Sequence, residues 1–459
     1  MRVAIVGGGI SGLATAAALE VRGAETIVLE ADAHPGGKVR TERVDGYLCE
    51  YGPNGFLDRE PATRALCDRL KISDRIVAAS AAARSRFIMK GGKLHAVPAS
   101  PGAFFTSRLL SPSGRLRVAS EPLRRARRDH GDETVADFGR RRIGEEAVEV
   151  LLDPMVSGIF AGDVHRLSVG SAFPRIVELE RRYGSLVRAM VSLGLERRRT
   201  DSPRGDGGGP AGPGGELCSF VSGMQEAIDT LAARLEGRIR TGARAVAIER
   251  RDGSRWLVHV DGAQPVEADR LVLALPAPAT AKLVGALDPS LGSLVGGIPY
   301  ANIVVVLLGV ERRHVGKLDG FGVLIPRREG KRCLGMIWTS TVFPNRAPEG
   351  KVLVDARIGG ALDPGAVDLD DEALEALVRR ELGASIGLDG PTVFRRIYRH
   401  PSGIPQYVVG HRDRLAQIDR FLHHLPGLYL TGNAYRGVGF NDCIREANVV
   451  ADAVGGSTC

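Results

Sequence analysis

The apolar positions change period along the chain, and the changes lay out most of its elements. Arg2 to Val6 is a short apolar run, Thr26 to Glu30 is a second, and the alanine- and leucine-rich residues 11–22 lie between them. Short runs bounded by glycine read as buried strands and the longer stretch reads as a helix, which predicts a βαβ unit of roughly 30 residues. Pro61 to Leu70 predicts a helix, with proline in the first turn where its missing N–H costs nothing. Strand patterning returns over Arg86–Val97, and helical periodicity then dominates to about residue 200. Beyond it Leu217–Val221 predicts a strand, Met224–Leu235 a helix, and strands alternate through Leu271–Leu275. Ile303–Gly309, Gly320–Ile325 and Val352–Ile358 predict further strands, Asp371–Leu382 and His411–His423 helices. The chain closes with a strand into Gly432, a turn, and a helix from about Asp442 to Val454. No internal repeat is visible.

At 459 residues the chain exceeds the roughly 250–300 at which single cores stop growing, so two or three folding regions are expected. The segment 201–215 holds almost no apolar residue and is expected to be a mobile loop.

Composition adds limits. Apolar residues make up 44% and charged residues 25%, ordinary for a soluble protein. The formal net charge of +8 favours anionic partners: nucleic acid, an acidic membrane surface or a polycarboxylate ligand. The longest apolar run, Ala301 to Val310, falls far short of the ~20 residues that span a bilayer. No secretory leader is read before the first strand, so a cytoplasmic protein, soluble or peripherally attached, is expected. The six cysteines form no CxxC and no His stands at ligand spacing from them, so reduced thiols are expected, with no zinc site and no metal.

Gly7-Gly8-Gly9-Ile10-Ser11-Gly12 fits GxGxxG in the context that gives the motif meaning: a strand before it and a helix after it. Gly7 permits the tight turn, Gly9 lets backbone approach a pyrophosphate, and Gly12 lets the helix pack on the strand. Glu30 ends the second strand, placed to accept from a ribose diol. This predicts a dinucleotide site, for NAD or FAD.

The next stretches point to FAD. Gly36-Gly37-Lys38, with Arg40 close behind, resembles the second glycine motif of the amine oxidase-like flavoproteins, where paired glycines and a basic residue meet the FAD phosphates. Gly52, Pro53, Asn54 and Gly55 are similar to the segment that passes the isoalloxazine in that superfamily. Gly432 to Ile444, containing Val438, Gly439 and Phe440, precedes the last helix, whose N-terminus suits the negative charge of reduced flavin. Asp442 there reads equally well as a helix cap.

Four stretches together resemble the oxygen-dependent protoporphyrinogen oxidase family: Ser85–Phe87 with Gly91–Pro98, Ser157–Asp163, Gly403–His411, and Gly432–Ile444. The resemblance implies an α/β protein. Its doubly wound FAD-binding, Rossmann-like domain would comprise about 1–75, 217–280 and 425–459. A sheet-containing substrate domain would comprise 81–100 with 281–424, and a helical membrane-facing subdomain 101–200. It implies non-covalent FAD, with Val246 meeting the adenine portion through its backbone. Arg86 would pair with a substrate propionate, Gly158 would lie beside the macrocycle, Phe321 and Leu324 would sandwich the tetrapyrrole, and Ile358 would form another wall.

The implied reaction removes six electrons and six hydrogens from protoporphyrinogen IX in three two-electron steps, with oxygen as acceptor giving hydrogen peroxide. The implied partners are a tetrapyrrole, oxygen and the anionic inner face of the cell membrane, with a homodimer admitted. The basic runs Arg124–Arg128 and Arg197–Arg199 suit that membrane surface or simply form solvated helix faces. Nucleic acid is not expected, since no recognised module accompanies the charge. Three alternatives stay open: a coproporphyrinogen III oxidase on the same fold, an amine oxidase, and a flavin-binding scaffold without turnover. The aromatic content of 5% argues mildly against an amine oxidase's aromatic cage.

Overall fold

A computed structural model describes residues 1–127, 131–199, 215–251 and 255–456. Almost all of the expected 201–215 loop therefore lies outside the described residues, as does Arg128.

The first strand, β1 (Arg2–Val6), runs into helix α1 (Ile10–Val21) and returns as β2 (Glu25–Leu29), as the hydrophobic pattern predicts. These strands belong to a five-stranded parallel sheet, in the order Ile239–Arg240, β2, β1, Arg270–Leu273, Leu428–Leu430. Three stretches far apart in sequence thus build one sheet. Both faces are covered: α1, Gln225–Arg234 and the last helix, Phe440–Gly456, pack on one, and Trp256, Val258 and Leu283 on the other. That double covering explains the continuous apolar runs. The chain turns to opposite sides of β1, so a crevice opens beyond the carboxyl end of β1, where ligands settle in such sheets.

A second, seven-stranded sheet contains β3 (Phe87–Lys90), β4 (Gly322–Leu324), β5 (Cys333–Ile337) and β6 (Lys351–Gly359), with Lys93–Ala96 at one edge and Tyr300–Glu311 and Thr392–Pro405 at the other. The strand over 392–405 and β5 are not predicted by the hydrophobic pattern. The 392–405 strand is an edge strand, the position that tolerates proline. Its arginines Arg395, Arg396 and Arg399 pair with acids on neighbouring elements and interrupt the apolar positions Phe394, Ile397 and Tyr398 that pack on the cores. Val304, Val306, Val354, Ala356 and Ile358 pack against the helix Asp371–Ile386 on one side of this sheet.

The described residues within 101–199 are mostly helical and include α2 (Asp153–Phe160), which lies against β4 and β5. Among the described residues no helix is long and apolar enough to cross a membrane.

Candidate active site

The glycine motif forms a cradle at the end of β1. Gly7 has φ +108°, and a Cβ there would stand 2.5 Å from the Ala274 carbonyl oxygen. The Gly8 N–H donates to Glu30 Oε2 at 2.6 Å and the Asp32 N–H to Oε1 at 2.8 Å, which fixes the carboxylate at the lip of the crevice. Gly36 N–H donates to Gly8 O at 2.9 Å, and Gly9 pairs with Gly36, so the two glycine motifs meet. Around Gly9 the nearest atom a Cβ would meet is Gly36 O at 4.0 Å, and around Gly37 it is Gly9 Cα at 3.6 Å. Here, side chains would fill open space rather than strike the protein. Helix α1 starts at Ile10 with buried Ser11 and no side-chain cap, which leaves its first-turn N–H groups to an anion. A pyrophosphate fits this cradle in both shape and charge.

Gly52 and Gly55 lie against backbone: a Cβ on either would run into the Lys38 or the Cys218 carbonyl. Between them Pro53 and Asn54 cross toward the second sheet, where Asn54 Nδ2 donates to Asp355 Oδ2 at 2.8 Å. The same oxygen accepts from Arg357 at 2.7 Å, and Arg357 also donates to the Gly52 carbonyl at 3.0 Å. Asn54 Oδ1 is buried without a partner among the described residues, an acceptor suited to an N–H of a bound ring. Lys38 donates to the Ser402 and Gly403 carbonyls and lies 5.6 Å from the Tyr300 ring centroid. Burial pulls its ammonium down from 10.5 to about 8. His400 bonds the Tyr51 carbonyl at 2.8 Å, and burial, reinforced by Arg357 and Lys38, lowers it from 6.5 to about 4.

The expected substrate residues fall into two groups. Arg86 is exposed at the start of β3, its guanidinium 5.7 Å from the Phe321 ring centroid. It makes no ion pair among the described residues. Gly158, on α2, faces Leu324: a Cβ on the glycine would come within 2.7 Å of Leu324 Cδ2. Phe321 immediately precedes the short strand β4 and Leu324 ends it, which places the two pairs at neighbouring positions of the second sheet. Ile358 does not join them. Alternation along β6 turns it into the core, fully buried beside Val304, and presents Arg357 to the opposite face. Val246 is exposed and is skipped by the pairing of its strand with Trp256–Val260. Its segment reaches the crevice lip, since Ala243 N–H donates to the Glu30 carbonyl at 2.8 Å.

The Gly403–His411 stretch acts as a tie. Gln406 Nε2 donates to Phe160 O at 2.8 Å, holding the end of α2. Tyr407 donates to Asn433 O at 2.6 Å and accepts from Gly437 N at 2.9 Å, holding the C-terminal glycine segment that carries Val438, Gly439 and Phe440. Asp442 accepts from the Gly439 N–H at 3.1 Å, the helix-capping role. Sequence reasoning misses Asp355 and Arg357. The signal for them was present: they occupy the odd positions of a strand whose even positions are apolar.

A nucleotide cradle joined by a glycine-rich segment to a second sheet is the layout of a flavin-dependent oxidoreductase. Residues 10–455 match the family of flavin-containing amine oxidoreductases, and the chain belongs to that family. It is 30% identical to the coproporphyrinogen III oxidase of Bacillus subtilis, over 98% of this chain and 97% of the relative. It is 33% identical to the chloroplastic protoporphyrinogen oxidase of Oryza sativa, over 96% of this chain and 86% of the relative. A crystal structure from Exiguobacterium sp. 255-15, whose protoporphyrinogen oxidase activity is inferred, superposes with a TM-score of 0.84 at 27% identity, covering 100% of this chain and 99% of that one.

Proposed function

We propose that this chain is an FAD-dependent porphyrinogen oxidase of haem biosynthesis. The carrying observation is that the segment Gly52–Gly55 beside the glycine cradle is tied through Asn54 and Asp355 to the second sheet, which carries Leu324 against Gly158 and, at its other side, Arg86 beside Phe321 without an ion pair among the described residues. The likeness to porphyrinogen oxidases over nearly the whole chain supports the same reading.

Gly9, Gly37 and the start of α1 would hold the pyrophosphate of non-covalent FAD, Glu30 its ribose, and the segment 52–55 with Asn54 its ring. Bound flavin supplies a hydride acceptor. The chain's own residues then have a positioning task. Leu324, Phe321 and the bare surface at Gly158 would hold the macrocycle flat, and Arg86 would take a propionate in a charge-assisted pair. The overall reaction balances as porphyrinogen plus three O2 giving porphyrin plus three H2O2.

Protoporphyrinogen IX is the substrate implied by the sequence resemblance. Coproporphyrinogen III is the second reading, favoured by the basic group that β6 turns toward the wall. Attachment to an anionic membrane face is supported by Leu116 and Leu123, 72% and 82% exposed, near exposed Arg124 and Arg125. The test is a paired porphyrin-fluorescence assay under air, using both porphyrinogens and correcting for autoxidation. Production of porphyrin and peroxide from either supports the proposal; turnover of neither refutes it.

A further inference from the structure

Directly paired residues on adjacent strands share a face. Arg357 on β6 pairs with Gly335 on β5, and Gly335 pairs with Leu324 on β4. Arg357 and Leu324 therefore stand on one face, two strand spacings or about 10 Å apart. Between them is a glycine whose Cβ would touch Leu324 Cδ2 at 3.3 Å. Gly335 is buried, its missing Cβ would also stand 2.6 Å from the Val323 carbonyl oxygen, and the Leu324 side chain lies over it, so no side chain of β5 rises between Leu324 and Arg357 at this register.

Arg357 is held in place from behind. One terminal nitrogen is taken by Asp355 Oδ2 and the Gly52 carbonyl. Asp355 is fully buried and also receives Asn54, so it anchors both the flavin segment and the arginine. The other guanidinium nitrogens have no partner among the described residues, and the side chain keeps 23% of its exposure. A planar fork with one nitrogen anchored and the others free is suited to a carboxylate.

Arg86 lies at the far side of the same wall, on the chain entering β3. Three strand spacings, about 14 Å, separate β3 from β6. The wall thus has a cation at each end, one at its outer edge and one beside Gly52. Protoporphyrinogen IX carries its two acids on adjacent pyrroles, with vinyl groups on the opposite edge. Coproporphyrinogen III carries an acid on every pyrrole. With one acidic edge at Arg86, the group reaching Arg357 is a vinyl in the first substrate and a propionate in the second.

Resting on the proposed porphyrinogen oxidation, we infer that Arg357 is a specificity-determining residue that binds a propionate on the flavin side of the pocket and makes coproporphyrinogen III the preferred substrate. Asp355 is its positioning residue. The vinyl edge of protoporphyrinogen IX would leave the guanidinium desolvated without a new partner, which costs more than the loss of an exposed contact.

The test uses flavin-loaded enzyme and both porphyrinogens, comparing wild type, Arg357→Gln and Arg357→Lys. Wild type is expected to show the higher kcat/KM with coproporphyrinogen III. Arg357→Gln is expected to lower the ratio of the two kcat/KM values at least tenfold, chiefly through KM for the four-acid substrate, and Arg357→Lys to restore part of it. Binding of coproporphyrin III and of protoporphyrin IX, followed by flavin absorbance, should show the same change in preference without turnover. An unchanged ratio, or equal losses on both substrates, overturns the inference. If Arg357→Gln sheds its flavin, Arg357→Lys decides: a ratio below wild type supports the inference and a ratio equal to wild type overturns it, as does a wild type that prefers protoporphyrinogen IX. Wild-type inactivity on both substrates, with flavin bound, instead removes the porphyrinogen reading and this inference with it.

Discussion

Two glycines of the cradle, two residues apart, should respond oppositely to one added methyl group. Gly7 has φ +108° and would place a Cβ 2.5 Å from the Ala274 carbonyl oxygen and 3.0 Å from its carbon. Strained backbone costs roughly 1–3 kcal/mol, and forcing a methyl into packed backbone costs a similar amount. Gly7→Ala should therefore lose about 2–6 kcal/mol of stability, a large part of the usual 5–15. Gly9 has φ −74°, and its added Cβ would meet only Gly36 O at 4.0 Å. Alanine is a poorer helix N-cap than glycine, so Gly9→Ala should cost under about 1 kcal/mol in flavin-free protein. Its methyl would instead occupy the approach of the pyrophosphate, and crowding of about 1–3 kcal/mol weakens FAD binding roughly 5- to 150-fold. Chemical denaturation of flavin-free protein and fluorescence titration with FAD separate the two effects. Wild-type FAD affinity in Gly9→Ala would refute the placement of the pyrophosphate. A loss of stability in Gly9→Ala equal to that in Gly7→Ala would refute the argument from Cβ surroundings.

Arg86→Ala removes a charge-assisted contact worth about 1.5–3 kcal/mol, so KM for the porphyrinogen should rise roughly 10- to 150-fold with kcat changed far less; steady-state kinetics with an unchanged KM would sink its anchoring role. Arg142 is fully buried and ion-paired with buried Glu121, and Arg142→Ala leaves that carboxylate without its counter-charge while Glu180 keeps Arg141, so denaturation should show a loss of about 3–5 kcal/mol. His400 stays neutral in the folded protein down to about pH 4, because burial, Arg357 and Lys38 oppose its proton. The unfolded chain takes that proton near pH 6.5, so stability falls as pH drops from about 6.5 to 4, by up to roughly 3 kcal/mol from this group. His400→Gln should flatten that part of the stability–pH curve, and an identical slope in the variant would refute the assignment.

Local physics in the sequence determines the cradle. A buried strand, a helix and the glycines between them specify one another over roughly 30 residues, and β1, α1 and β2 form within a residue or two of the predicted positions. The helix His411–His423 and the final helix are legible for the same reason: their apolar spacing and start signals lie within a single segment. Tertiary structure decides what depends on partners distant in sequence. The 392–405 strand satisfies its arginines with acids from other elements, and those charges break up the alternation of Phe394 and Tyr398 that would otherwise announce it. Ile358 and Arg357 are adjacent in sequence, and only the pairing of β6 with its neighbours settles which one enters the core. The pairing sends the isoleucine inward because burying it is favourable, whereas a buried guanidinium would need a complete set of partners. Asp355, from 301 positions away, completes the anchor of Asn54, and that contact exists only when the two sheets meet.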